Sequence, residues 1–83
     1  PKEGHYWNGK GNSFYSLGKY LEAIQCYDEA IKLNPKDGNY WNNKGDSFYS
    51  LGKYLESIQC FDEAIKLNPK KGAYWYNKGN SFY

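Results

Sequence analysis

The fold of this chain is decided by a 34-residue stretch that occurs twice without a gap. Residues 4–37 read GHYWNGKGNSFYSLGKYLEAIQCYDEAIKLNPKD, and residues 38–71 read GNYWNNKGDSFYSLGKYLESIQCFDEAIKLNPKK. The two copies differ at only six positions, and a third copy begins at Gly72 and runs to Tyr83. A fixed period of this length is typical of repeat architectures, in which each unit buries its apolar face against the next. The chain is therefore predicted to be a single array of repeat 1 (4–37), repeat 2 (38–71) and the first helix of repeat 3 (72–83).

Each repeat is predicted to contain two helices joined by short turns. Apolar side chains recur every three or four residues over about 6–17 and again over 20–33, which is the spacing of a helix with one buried face. Gly18 suits the left-handed backbone that ends a helix, and Pro35 stops the second helix. Because both turns are only a few residues long, successive helices are expected to be antiparallel neighbours. This pattern predicts five helices, no strand and an α-solenoid.

The positions shared by the two copies resemble the tetratricopeptide repeat, which has the same period. In repeat 2 the matching residues are Trp41, Lys44, Gly45, Phe48, Gly52, Tyr54, Ser57, Ile58, Phe61, Ala64 and Pro69. The resemblance covers essentially the whole chain and implies an all-α, right-handed superhelical solenoid. One departure is the lysine at positions 10, 44 and 78, where the family usually has leucine. Such a lysine can lay its aliphatic stem on the core and keep its ammonium group in water.

Small and aromatic residues are assigned to helix packing. Gly11 and Gly45 are expected to let the two helices of a repeat approach closely, which must compensate for the ~1 kcal/mol that glycine costs inside a helix. Trp7, Trp41 and Trp75 have the size to fill the junction between repeats. We therefore expect Trp41 to be buried there.

Composition and charge exclude several classes of function. The chain has 83 residues, 11 lysines, no arginine, nine acidic residues and a formal net charge of +2, without the basic stripe that nucleic-acid binding needs. The mean hydropathy is −0.97, and the apolar runs are far shorter than the ~20 residues of a transmembrane helix. No signal peptide or lipidation motif is recognisable. We therefore expect no membrane partner, and the charge disfavours a nucleic acid without excluding it.

No catalytic or metal-binding constellation stands out. His5 has no nucleophile or carboxylate at a suggestive spacing, so it is expected to be solvent-exposed, and the acidic residues are spaced as a solvated face. We predict a protein without enzymatic activity, cofactor or metal. Cys26 and Cys60 occupy equivalent places in adjacent repeats, about 10 Å apart by helix packing and beyond the ~7 Å that a disulfide allows. Free thiols and the lack of a signal peptide favour a cytoplasmic location.

The polar face of the first helix of each repeat is the candidate binding site. In the tetratricopeptide repeat family this face lines a concave groove that holds extended peptides, so the resemblance implies a protein–protein interaction scaffold. The alternative is that these residues merely keep a helix soluble, but Glu, Lys or Gln would form a better helix than asparagine. Amides can bind a peptide backbone, and tyrosine adds flat apolar area with a polar tip. The candidate groove residues are Asn8, Asn12, Tyr15, Asn42, Asn43, Asp46, Tyr49, Tyr76, Asn77 and Asn80.

Some members of the family hold a terminal carboxylate with two lysines, an arginine and two asparagines. Asn12 and Asn43 match those asparagines, but Asn8, Ala73 and Asn77 stand where the cations would be. A terminal carboxylate would therefore lack a charge-assisted partner in this groove. We expect the groove to prefer neutral or basic extended peptides.

Two other functions remain open. The near-identity of the repeats also fits a designed or duplicated structural array without a ligand of its own. Single-stranded RNA binding by a pentatricopeptide-like array is suggested by Asn8 and Asp37, but the period is 34 rather than 35 and arginine is absent.

The open end of repeat 3 predicts self-association. Its first helix has no second helix to cover Trp75, Gly79 and Phe82. Exposed apolar surface of this kind favours contact with a second copy. We expect a homo-oligomer with Trp75 and Phe82 in the contact.

Overall fold

The protein, seen in a computed structural model that describes residues 2–82, is an array of five helices. They are α1 (Lys2–Ser16), α2 (Tyr20–Leu33), α3 (Gly38–Ser50), α4 (Tyr54–Leu67) and α5 (Gly72–Asn80). Residues 2–82 contain no strand, so the predicted all-α solenoid is confirmed. Pro1 and Tyr83, the last residue of the predicted repeat 3, lie outside the described residues. None of the helices in residues 2–82 is long and apolar enough to cross a membrane.

The first helix starts earlier than expected. α1 begins at Lys2 rather than near Tyr6, because the prediction relied on apolar periodicity, which residues 2–5 lack. Glu3 lies in the first turn of α1, where a carboxylate interacts favourably with the helix dipole. The bounds of α2 agree with the prediction.

The turns between helices follow the chemistry of their residues. Gly18 has a φ of +75°, and the N–H of Lys19 donates to the carbonyl of Phe14 at 2.9 Å, a common way to end a helix. At the next connection the Asp37 carboxylate accepts the backbone N–H of Asn39 at 2.9 Å. This bond satisfies one of the unpaired donors at the start of α3.

Glycine allows the two helices within a repeat to pack closely, as predicted. A Cβ atom on Gly11 would lie 2.6 Å from Cε1 of Tyr27, and one on Gly45 would lie 2.6 Å from Cε1 of Phe61. Both rings are almost completely buried. The aromatic ring of the second helix therefore lies directly on the backbone of the first.

Tyrosines, not tryptophans, fill the junctions between repeats. Tyr40 is 1% exposed and Tyr74 is 2% exposed, whereas Trp41 is only partly buried and Trp75 is 52% exposed. The prediction that Trp41 is buried between repeats is therefore wrong. Neighbouring residues of a helix point about 100° apart, and the tyrosine one position earlier is the residue that faces the preceding repeat. Gly4 leaves room for it, since a Cβ there would lie 2.9 Å from the Tyr40 hydroxyl.

The buried tyrosine hydroxyls are paired across the junctions. The Tyr40 hydroxyl lies 2.8 Å from Nδ1 of His5, and the Tyr74 hydroxyl donates to Oδ1 of Asn39. His5 is exposed, as expected, but its ring also contributes to this junction. These bonds remove the penalty of burying a phenol without a partner.

Two of the three lysines that replace the usual leucine form ion pairs between repeats. The Lys44 ammonium lies 2.6 Å from Asp28 of the preceding repeat and 5.2 Å from the centroid of the Trp41 ring. Lys78 pairs in the same way with Asp62 at 2.7 Å. The expectation that these ammonium groups remain in water is therefore wrong for Lys44 and Lys78, each of which bridges two repeats. Lys10 is exposed, as expected.

Cys26 and Cys60 are free and buried, as predicted. Burial raises the pKa of the Cys60 thiol to about 11, so that the thiol is protonated at neutral pH. Within residues 2–82 there is no cluster of three or more side chains of the types that commonly ligate metals.

Candidate functional site

Two adjoining hollows lie along the face formed by α1, α3 and α5. The first hollow, about 280 Å³, is lined by Asn12, Tyr15, Ser16, Tyr27, Asn43 and Asp46. The second hollow, about 230 Å³, is lined by Tyr15, Asp46, Tyr49, Phe61, Asn77 and Asn80. Tyr15 and Asp46 line both, so the two hollows adjoin, and we call the two together the groove.

Asparagine amides link successive repeats beneath this groove. Nδ2 of Asn43 donates to Oδ1 of Asn8 at 2.9 Å, and Nδ2 of Asn77 donates to Oδ1 of Asn42 at 3.0 Å. Each bond uses only one N–H of the donating amide. A second N–H and the carbonyl oxygen remain as hydrogen-bonding capacity. The bonds hold the amides of Asn43 and Asn77 in a set orientation along the groove.

Hydrogen bonds of tyrosine hydroxyl groups hold side chains that line the first hollow. The Tyr27 hydroxyl donates to Oδ1 of Asn12 at 2.6 Å, and the Tyr15 hydroxyl lies 3.2 Å from the Ser50 hydroxyl of the next repeat. Burial, followed by the charge of Asp46, raises the pKa of Tyr27. Tyr27 is therefore a neutral hydrogen-bond donor in this wall.

Among residues 2–82, Asp46 is the only charged residue that lines either hollow. It lies partly buried between the two hollows. Burial raises the pKa of its carboxyl group to about 6. The carboxylate is therefore ionised at neutral pH but poorly solvated.

Most of the predicted groove residues are brought together by the fold. Those that line the hollows are Asn12, Tyr15, Asn43, Asp46, Tyr49, Asn77 and Asn80. Asn8 and Asn42 lie beside them as partners of the linking amides. Tyr76 is 71% exposed and lines neither hollow.

Sequence reasoning missed two ring residues of the groove. The spacing of apolar residues places Tyr27 and Phe61 on the apolar face of the second helix, yet each of them lines one of the hollows. Each ring packs against a glycine of the first helix, Tyr27 against Gly11 and Phe61 against Gly45. The sequence contains one signal for this role. Tyr27 is replaced by Phe61 in repeat 2, and Asn12 is replaced by Asp46 in the same repeat.

The sequence also matches known families and proteins. A model described as "Tetratricopeptide repeat" matches residues 38–71, and one described as "TPR repeat" matches residues 11–52. The human mitochondrial import receptor subunit TOM70 is 62% identical over 26 residues, which cover 31% of this chain and 4% of the receptor. The rat and mouse receptors match to the same extent.

Solved structures share the fold. The first TPR of Spaghetti (RPAP3) bound to the HSP90 peptide SRMEEVD superposes with a TM-score of 0.95 at 24% identity, covering 96% of this chain and 65% of that one. The TPR2AB domain of yeast Sti1 in complex with pHSP90 has a TM-score of 0.95 at 21% identity, covering 98% and 31%. The Arabidopsis OM64 TPR domain has a TM-score of 0.93 at 25% identity, covering 96% and 66%.

Proposed function

Because this chain belongs to the tetratricopeptide repeat family, we propose that it is a non-catalytic protein-interaction scaffold that holds an extended peptide segment in its groove. The observation that carries the proposal is the pair of adjoining hollows across α1, α3 and α5. An extended segment rises about 3.3 Å per residue. A groove that crosses three helices therefore suits several consecutive peptide residues rather than a compact ligand.

The lining of the groove supports recognition of a peptide backbone. The amides of Asn43 and Asn77 are held by the preceding repeat, so that little side-chain entropy is lost when they bind. Their remaining donor and acceptor atoms match the C=O and N–H groups of an extended chain. Tyr15 and Tyr49 add flat apolar surface beside them.

The solved relatives support the class of partner but not its charge. The RPAP3 and Sti1 domains are described in complexes with HSP90 or its peptide SRMEEVD, which carries several acidic groups. No lysine or arginine lines either hollow of this chain. We therefore infer a neutral or basic peptide partner rather than an acidic tail of that kind.

An NMR titration tests this function. Isotopically labelled protein is titrated with pools of random seven-residue peptides and, separately, with single-stranded RNA. We expect the peptide pools to shift the signals of Asn43, Tyr49 and Asn77, and RNA to leave them unchanged.

A pair of variants locates the binding site. Asn43→Ala and Asn77→Ala together should weaken peptide binding, whereas Gln59→Ala, at an exposed position of α4 that lines neither hollow, should not. Shifts produced only by RNA would contradict the proposal, and so would the absence of any peptide response.

A further inference from the structure

The repeats differ chemically at two positions of the groove that lie next to each other. In repeat 1 these positions hold Asn12 and Tyr27, and Oδ1 of Asn12 accepts the Tyr27 hydroxyl at 2.6 Å. In repeat 2 the equivalent residues are Asp46 and Phe61. A phenylalanine ring has no hydroxyl to donate. The neutral acceptor of repeat 1 has therefore become an anion in repeat 2, while its internal donor has been removed.

Asp46 has no charged partner among residues 2–82. The four ion pairs in this part of the chain use other acids, namely Asp28, Glu29, Asp62 and Glu63. Lys44 lies on the same helix as Asp46, but it forms an ion pair with Asp28 at the junction of α2 and α3. The carboxylate therefore sits on the shared wall of the two hollows without a cation.

The side chains that line the hollows beside Asp46 carry no formal charge. α1 contributes Tyr15, α2 contributes Tyr27, whose pKa is raised by burial, and α3 contributes Tyr49. The residues from α4 and α5 do not titrate: they are Phe61, Asn77 and Asn80. Among the described residues, Asp46 is thus the only one with a carboxyl side chain that lines the two hollows.

We propose that Asp46 determines the specificity of the groove by receiving the basic side chain, lysine or arginine, of an extended peptide. This inference rests on the proposed function. The ammonium or guanidinium group would form a charge-assisted hydrogen bond with the carboxylate, while the aliphatic stem would lie on the rings of Tyr15 and Tyr49. An acidic side chain at the same place would face a carboxylate, and like charges repel in such a partly desolvated site.

The proposal predicts a defined dependence on pH. Since burial raises the pKa of Asp46 to about 6, the carboxyl group becomes protonated and neutral as the pH falls below that value. Lysine and arginine keep their charge over this range. The preference for a basic side chain should therefore be strong at pH 7.5 and largely lost at pH 5.

The test uses matched peptide pools. Acetylated and amidated seven-residue pools carry lysine, norleucine or glutamate at one fixed position, and random neutral residues elsewhere. Norleucine has the stem of lysine without its charge. For at least one fixed position, we expect the lysine pool to bind about tenfold more tightly than the norleucine pool at pH 7.5, as a charged hydrogen bond allows. The glutamate pool should bind most weakly.

Two variants distinguish the effect of the Asp46 charge on peptide binding from the effect of the net charge of the protein. Asp46→Asn gives repeat 2 the residue that repeats 1 and 3 already have, and it should abolish the preference for lysine while the norleucine pool still binds. Glu56→Gln removes one negative charge from an exposed position that lines neither hollow, and it should keep the preference. Both variants are first checked for native helix content by circular dichroism.

The outcomes distinguish this inference from the function on which it rests. Equal binding of the lysine and norleucine pools, or a lysine preference that survives Asp46→Asn, would overturn the inference and leave the peptide scaffold intact. The absence of binding by every pool would overturn both.

Discussion

At the scale of single residues, glycine decides how closely the helices of one repeat approach. Gly45 has the ring of Phe61 directly against its Cα, whereas Gly79, at the equivalent position of repeat 3, has no atom within 4 Å of where a Cβ would be. The two positions have the same local sequence role but different surroundings. They therefore form a matched pair for measuring how much the packing of a ring against the glycine contributes to the free energy of unfolding.

Alanine substitutions at this pair should have opposite effects on stability. Gly45→Ala should lower the free energy of unfolding by about 1–3 kcal/mol, because the added methyl group overlaps the buried ring of Phe61. Gly79→Ala should be neutral or raise it by up to ~1 kcal/mol, since alanine is the better helix former and the space is open. Urea denaturation followed by circular dichroism measures both. A destabilisation by Gly79→Ala as large as that by Gly45→Ala would mean that helix propensity, and not ring packing, explains the glycines.

At the scale of the elements, each junction between repeats has two parts. One is a buried tyrosine hydrogen-bonded to the preceding repeat, such as Tyr40 with His5. The other is a lysine that pairs with an acid of the preceding second helix, such as Lys44 with Asp28. The tyrosine ring is almost completely buried. The ion pair is partly exposed, so that its contribution is smaller.

The junction predicts which aromatic residue matters more to stability. Tyr40→Ala should lower the free energy of unfolding by about 3–5 kcal/mol, because a fully buried ring leaves a cavity. Trp41→Ala should cost clearly less, since its indole is only partly buried. Thermal denaturation of the two variants, followed by circular dichroism, tests the order. If Trp41→Ala proved the more damaging, the assignment of the junction to tyrosine would be wrong.

At the scale of the whole molecule, α5 and the turn that follows it present an apolar surface to solvent. Trp75 is 52% exposed and Phe82 is 66% exposed. The Trp75 indole donates to the carbonyl of Pro69 at 2.9 Å and has the Lys78 ammonium 5.8 Å from its ring centroid. These contacts hold the ring in place without covering it. A second copy of the chain could bury both rings.

Self-association of the 83-residue chain remains a prediction that this surface supports. Sedimentation velocity from micromolar to millimolar concentration should show a dimer or a larger assembly, because burying two aromatic side chains removes a substantial apolar area from water. The double variant Trp75→Gln, Phe82→Gln should be monomeric over the same range. A parent protein that stays monomeric throughout would contradict the prediction.

Several properties of this protein were determined by the sequence alone. The gapless 34-residue period, the spacing of apolar residues and the position of Gly18 specified five helices, their turns and the polar face that lines the groove. These features depend on residues within a few positions of each other, for which the geometry of a helix is known in advance. The close packing of Gly11 and Gly45 could be predicted for the same reason, since only a small residue fits where two helices touch.

Other properties were decided only by the tertiary structure. A helical projection assigns a residue to a face, but it does not say which neighbour covers that face. Three contacts between repeats illustrate this. Tyr40, and not Trp41, fills the junction. Lys44 pairs with Asp28, and Asn43 donates to Asn8. The raised pKa of Asp46 likewise follows from burial by helices distant in sequence. Such contacts depend on the angle at which one repeat packs on the next, and that angle results from all the side chains of the interface together.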